Sequence, residues 1–239
     1  MRREVTIWEN NFVLIFTDAV MLYEAAAACE NSDLNSAMAK ASVLSVNCAV
    51  EAAANSFLQS IEINDKLSKE LDKLKTLDKF DFILQWHTDK ELPRGDAHIQ
   101  AIAKMIGNRN TMVHPKVNSR KAVIETNAGP NGITHTEIKP LPKKGQDTKH
   151  KLLGDDLELY THEDAKSALI NMTTFLNAFV EYWGIGYEAA EKFLFQAWDG
   201  SINARPVMFR TNQIETLVRN DHFLNIQFMG VHGMISSEV

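Results

Sequence analysis

Seven alanines, Ala37, Ala39, Ala41, Ala49, Ala52, Ala53 and Ala54, recur through the segment from Asn35 to Ile61. Alanine is the strongest helix former, and side chains this small let neighbouring helices come close. The segment therefore predicts a long helix at the centre of a helical packing. Ahead of it, Trp8, Phe12, Ile15, Phe16, Ala19, Leu22, Tyr23 and Ala26 recur at steps of three, four and one. That is the apolar stripe of an amphipathic helix running from about Trp8 to Cys29.

Further helices are expected over Asp65–Lys75, Asp78–Trp86 and Asp96 onward, with Asp96 as an acidic N-cap after the Pro93-Arg94-Gly95 turn. Thr161 and Asp164 form a capping box that opens a helix to about Trp183, and Tyr187–Trp198 reads as one more. Between Lys116 and Lys151 helical periodicity fades. Ala122–Thr126 and Ile133–Ile138 alternate weakly around the turn-rich Asn127-Ala128-Gly129-Pro130-Asn131-Gly132, which predicts a β-hairpin. Phe223–Met229 reads as a strand or as an apolar clip onto the bundle. The expected class is mainly all-α, with five or six helices and a small hairpin insertion. Residues 1–116 and 152–200 would form one bundle, 117–151 a basic insertion, and 201–239 an extension packed on the bundle.

Composition adds bounds. The chain of 239 residues is 45% hydrophobic and 23% charged, as a globular protein is, with a formal charge of −6. That balance does not advertise nucleic-acid binding. The hairpin region differs. Lys116, Arg120, Lys121, Lys139, Lys143, Lys144, Lys149 and Lys151 outnumber Glu125, Glu137 and Asp147. Such a segment is either a solvated loop or a basic arm for phosphate backbone. Cys29 and Cys48 lie in apolar helical patterns and are expected as small core residues. Phe12–Ala28 carries Asp18 and Glu24, and Leu169–Tyr187 carries Asn171, Asn177 and Glu181, so neither reads as a membrane span. No signal-peptide pattern is seen, and a cytoplasmic location is expected.

Chemistry concentrates in Arg109-Asn110-Thr111-Met112-Val113-His114, followed by Pro115. Arginine is a fixed donor fork for phosphate. Histidine exchanges a proton near neutral pH. The preceding helix-like run, Asp96 to Ile106, is expected to break at Gly107. Asn110 and His114 share a helix face, but Arg109 and His114 stand about 140° apart on an ideal helix. They converge only if the helix unwinds near Val113 or if two chains contribute to one cleft. The alternative is that both merely cap a helix C-terminus. On the alanine-rich helix Asn47, Glu51 and Asn55 form a polar line, either solvated or lining a polar cleft. The other histidines, His87, His135, His150, His162, His222 and His232, lack ligand spacing. Nothing calls for a metal or a cofactor.

A helical chain with Arg109-Asn110-x-x-x-His114-Pro115 ending a late helix resembles the HEPN superfamily, the higher eukaryotes and prokaryotes nucleotide-binding domains. That family's signature is an arginine, four to six residues, then a histidine. Glu51 and Asn55 also look like its second long helix. The resemblance covers roughly Trp8 to Lys116 and the helix from Thr161 to Trp183. It implies a helical bundle that dimerises, and in catalytic members two motifs line one cleft and cleave RNA without metal. Arg109, Asn110 and His114 would then be catalytic, with Glu51, Asn55, Lys116, Arg120 and Lys121 contacting substrate. Two readings stay open. One is a metal-independent endoribonuclease of the toxin or defence-effector kind, with RNA as partner. The other is a non-catalytic homodimer that binds a nucleotide, a nucleic acid or a protein such as an antitoxin.

Overall fold

The structure, a computed structural model, describes residues 4–114, 122–130, 132–140, 160–198 and 207–234. It is mostly helical, with nine helices among the described residues rather than the five or six expected. Two of the nine, Thr211–Arg219 and Asp221–Leu224, lie in the C-terminal region where no helix was expected.

The first long pair is α1 (Phe12–Ala27) and α2 (Ser32–Leu58), joined by a tight connection and packed along each other. Asn31 caps α2, its Oδ1 accepting from the Leu34 N–H at 2.9 Å. The small residues do what their size allows. Ala19, Ala26, Ala39, Ala49, Ala53 and Ala54 are fully buried. Close approach lets the Ser42 hydroxyl donate to the Ala19 carbonyl at 2.7 Å and the Asn35 amide to the Ala26 carbonyl at 2.8 Å. By length and hydropathy α2 is the one described helix long and apolar enough to cross a membrane. Here it packs against α1, α4 (Thr76–Thr88), α6 (His162–Trp183) and α7 (Tyr187–Leu194).

Around α2 an aromatic cluster forms the centre of the core. Phe80 meets Phe179 at 4.7 Å and Phe175 at 4.8 Å between ring centroids. Phe57 lies edge-on to Trp183 at 5.5 Å. These tilted and edge contacts join α2, α4 and α6. The capping box of α6 forms as expected, Asp164 accepting from the Thr161 N–H at 2.9 Å. Gly184 ends α6 at φ 76°, a conformation that favours glycine.

Several expectations are corrected. The first helix starts at Phe12, because Ile7–Trp8 is a strand (β1). It pairs antiparallel with β4 (Gln196–Trp198), which pairs with β5 (Val207–Met208). Strands thus occur outside the hairpin region, and the Tyr187 helix stops at Leu194. Asn10 fixes this corner. Its Oδ1 accepts from the Phe12 N–H at 2.8 Å, and its amide donates to Ser56 Oγ at 2.8 Å and to the Phe193 carbonyl. The charged helix expected to reach Lys75 shortens to α3 (Asp65–Leu71). Cys48 is exposed and Cys29 half-buried, so neither is a core residue. Cys48 falls between buried Asn47 and Ala49, where the helix turns its outer face.

Beyond β5 come α8 (Thr211–Arg219) and α9 (Asp221–Leu224). Arg219 pairs with both oxygens of Glu24 on α1 at 2.9 Å. Ile226, Phe228, Met229 and Val231 are buried, so this stretch is the apolar clip, not a strand. Asn177 on α6 fastens it by accepting from the Gln227 and Phe228 N–H groups at 3.0 and 2.9 Å and donating to the Asn225 carbonyl at 2.8 Å.

The chain divides into two compact units, 1–109 with 152–239, and 110–151. The smaller contains the expected hairpin, β2 (Ala122–Gly129) antiparallel to β3 (Gly132–Pro140), with a register irregularity between Val123 and Ile124.

Candidate functional site

The motif ends α5 (Ala97–Val113). Ile99, Ile102 and Met105 are buried at helical spacing. The stripe continues into buried Asn108, whose amide donates to the Tyr160 hydroxyl at 3.2 Å. Next to it Arg109 is half-buried, and Asn110 and His114 are exposed. Gly107 does not break the helix, contrary to expectation. The His114 N–H donates to the Asn110 carbonyl at 2.9 Å, so helical bonding passes through the whole motif. Asn110 and His114 therefore share one face of the last turn. On an ideal helix this spacing puts Arg109 and His114 about 140° apart. The basic residues Lys116, Arg120 and Lys121, like Lys143, Lys144, Lys149 and Lys151, lie outside the described residues.

The other end of α5 is anchored by a polar chain. Tyr182 on α6 donates to Asp96 Oδ2 at 2.6 Å, and His98 Nε2 lies 2.6 Å from the same hydroxyl. With the phenol proton committed to Asp96, His98 is the donor through Nε2–H. Burial, then the hydrogen bond to Asp96, pushes the Tyr182 hydroxyl up to about 12. Asp96 thus serves a tertiary bond beyond its expected capping role.

The polar line on α2 divides. Asn47 is 6% exposed, and its amide donates to the Val43 carbonyl at 2.9 Å, one turn back. It belongs to the core and not to a cleft. Glu51 and Asn55 instead line a cavity of about 580 Å³, with Gln59, Ser68, Asp72 and Lys79 among its other walls. They also border a smaller one of about 350 Å³ shared with Asn10. Lys79, from the first turn of α4, is only 3% exposed, and its Nζ donates to Asn55 Oδ1 at 2.6 Å. Burying an ammonium costs several kcal/mol. One charge-assisted hydrogen bond returns about 1.5–3 kcal/mol. Among the described residues no carboxylate forms an ion pair with it. The sequence marks Lys79 as buried only through its place four residues before Ile83 on the apolar side of α4.

A third cavity, of about 800 Å³, lies between α7 and the C-terminal clip. Glu191, Tyr187, Asp221, Gly230 and His232 line it. Burial, then the neighbouring Glu188, raises the Glu191 carboxyl above the usual carboxylate range. Asp221 accepts from the Ile226 N–H at 2.6 Å through Oδ1 and meets His232 Nε2 at 3.1 Å through Oδ2. These groups lie after the end of α6 at Trp183. Tyr187 and Glu191 lie on the helix expected from Tyr187 onward, whereas Asp221, Gly230 and His232 fall where the sequence shows no clear period. Among the described residues no cluster of three or more histidine, cysteine or acidic side chains is placed to hold a metal ion.

No protein-family model, curated protein or solved structure matches the chain.

Proposed function

We propose that the chain is a metal-independent endoribonuclease of HEPN type, built as a two-fold homodimer whose cleft draws on both copies. The observation that carries this reading is the exposure of Asn110 and His114 on one face of an unbroken helix end. Because Arg109 and His114 of one chain diverge, the arginine that serves a given His114 comes from the second copy. A two-fold axis near Asn110 supplies that arrangement. His114 takes the proton of a 2′-hydroxyl as that oxygen attacks the neighbouring phosphate, and gives it to the 5′-oxygen as the P–O5′ bond breaks, leaving a 2′,3′-cyclic phosphate. Arg109 balances the charge that develops on the phosphorane, and Asn110 orients the phosphate oxygens. Single-stranded RNA suits this chemistry because its sugar can reach the in-line geometry, whereas DNA lacks the nucleophile. A toxin or defence effector acting in the cytoplasm fits such an activity.

The divergence of Arg109 and His114 also favours a second reading, in which the dimer binds a nucleotide, nucleic acid or protein partner and cuts nothing. One assay separates the two: purified protein incubated with a mixed RNA pool in EDTA. The first reading expects cleavage that leaves 2′,3′-cyclic phosphate ends. It also expects His114→Ala and Arg109→Ala each to lose on the order of 10²-fold or more in rate while staying folded. Intact RNA, or full activity in His114→Ala, refutes it. RNA retained without cleavage leaves the second.

A further inference from the structure

We infer that the cavity over Lys79 binds a small amino-carboxylate, with its carboxylate on Lys79 and its ammonium on Glu51. The inference is independent of the ribonuclease reading.

Lys79 has three N–H donors, and the bond to Asn55 uses one. The ammonium is buried at the cavity wall without a carboxylate partner among the described residues. Three carboxylates line the same space, Glu51, Asp65 and Asp72, yet none of them forms an ion pair or a side-chain hydrogen bond among the described residues. An ion pair built only to hold α2 against α4 would close this gap. Instead a cation lies in the wall, carboxylates stand apart from it, and about 580 Å³ of space remains. That volume falls in the range of small-molecule sites.

The charge pattern selects the ligand. A simple anion would satisfy Lys79 and meet three carboxylates. A simple amine would suit the carboxylates and meet the buried ammonium. A molecule with both charges satisfies both. Its size follows from α2: Glu51 and Asn55 are four residues apart, a rise of about 6 Å. Lys79 is held at Asn55, so the charges to be matched are separated by roughly one helical turn. α-, β- and γ-Amino acids span that range. Asp65 and Asp72 are exposed at the rim and would take additional donors on the ligand.

Titration of the full chain with glycine, β-alanine, 4-aminobutyrate, lysine and glutamine, followed by saturation-transfer NMR and calorimetry, tests this. Acetate, methylamine and inorganic phosphate serve as comparisons. At least one amino acid is expected to bind tenfold or more tightly than acetate or methylamine. Lys79→Met, which keeps the buried stem, and Glu51→Gln should each weaken that binding tenfold or more. If Lys79→Met does not fold, the half-buried Glu51→Gln decides alone. No amino acid binding at millimolar concentration overturns the inference. So does equal affinity for acetate, a preference for phosphate, or undiminished affinity in the deciding variant.

Discussion

Tyr182 shows how one hydroxyl can hold two elements in place. It donates to Asp96 and accepts from His98, both at 2.6 Å, and so ties α6 to the start of α5. Tyr182→Phe removes both bonds and leaves a half-buried carboxylate without its donor. The expected cost is about 1–3 kcal/mol in a denaturant melt. Spectrophotometric titration of the four tyrosines should find one ionising near 12, and that one should vanish in the variant. A titration with no such late tyrosine counts against the bond. Glu191 makes a different case. Its raised carboxyl means that folding favours the protonated form, so the stability it contributes is present at low pH and is lost as pH rises through the folded value. Glu191→Gln should therefore stabilise the protein at neutral pH. The gain should disappear below the ordinary glutamate value of about 4.3. A gain that persists at pH 3 would point to a cause other than the charge.

Helix α5 is where reading and structure part most consequentially. Its apolar stripe was plain, but Gly107 suggested a break that does not form. Propensity alone sets against glycine about 1 kcal/mol, and the buried row from Ile99 to Asn108 outweighs it. A Cβ at Gly107 meets nothing within 4 Å, and no positive φ is recorded there. Gly107→Ala should therefore stabilise the chain by about 0.5–1 kcal/mol. The same change at Gly184, where φ is 76°, should destabilise it by about 1 kcal/mol or more. A thermal melt of both variants checks the contrast, and a destabilised Gly107→Ala would mean that the helix does not pass through the motif. The long helices could be read because each buries a periodic face. β1 could not, because two residues carry no period, and Trp8 happened to fall in phase with the stripe of α1. The end of α7 was lost likewise, since Phe195 and Ala197 are buried in a strand context that only the pairing with β1 and β5 creates.

Assembly beyond single elements was mostly hidden from the sequence. Asn55 and Lys79 meet across 24 positions, and Asn177 grips a clip 48 to 51 residues away. Glu51 and Asn55 stand out in the sequence because their one-turn spacing is local. Their cation does not, since α4 has to fold back against α2 to deliver it. The Arg109–His114 motif poses the same problem between molecules. Its residues are legible and Asn110 and His114 share one face of a continuous helix end, so the proposed catalysis would draw its arginine from a second copy. The direct test mixes two inactive variants, Arg109→Ala and His114→Ala, after joint denaturation and refolding, and measures RNA cleavage in EDTA. If the arginine of one chain serves the histidine of the other, each mixed dimer regains one intact pair. Random pairing should then restore roughly a quarter of the wild-type rate, while each variant alone stays inactive. A mixture as inactive as its components would contradict a cleft shared in this way.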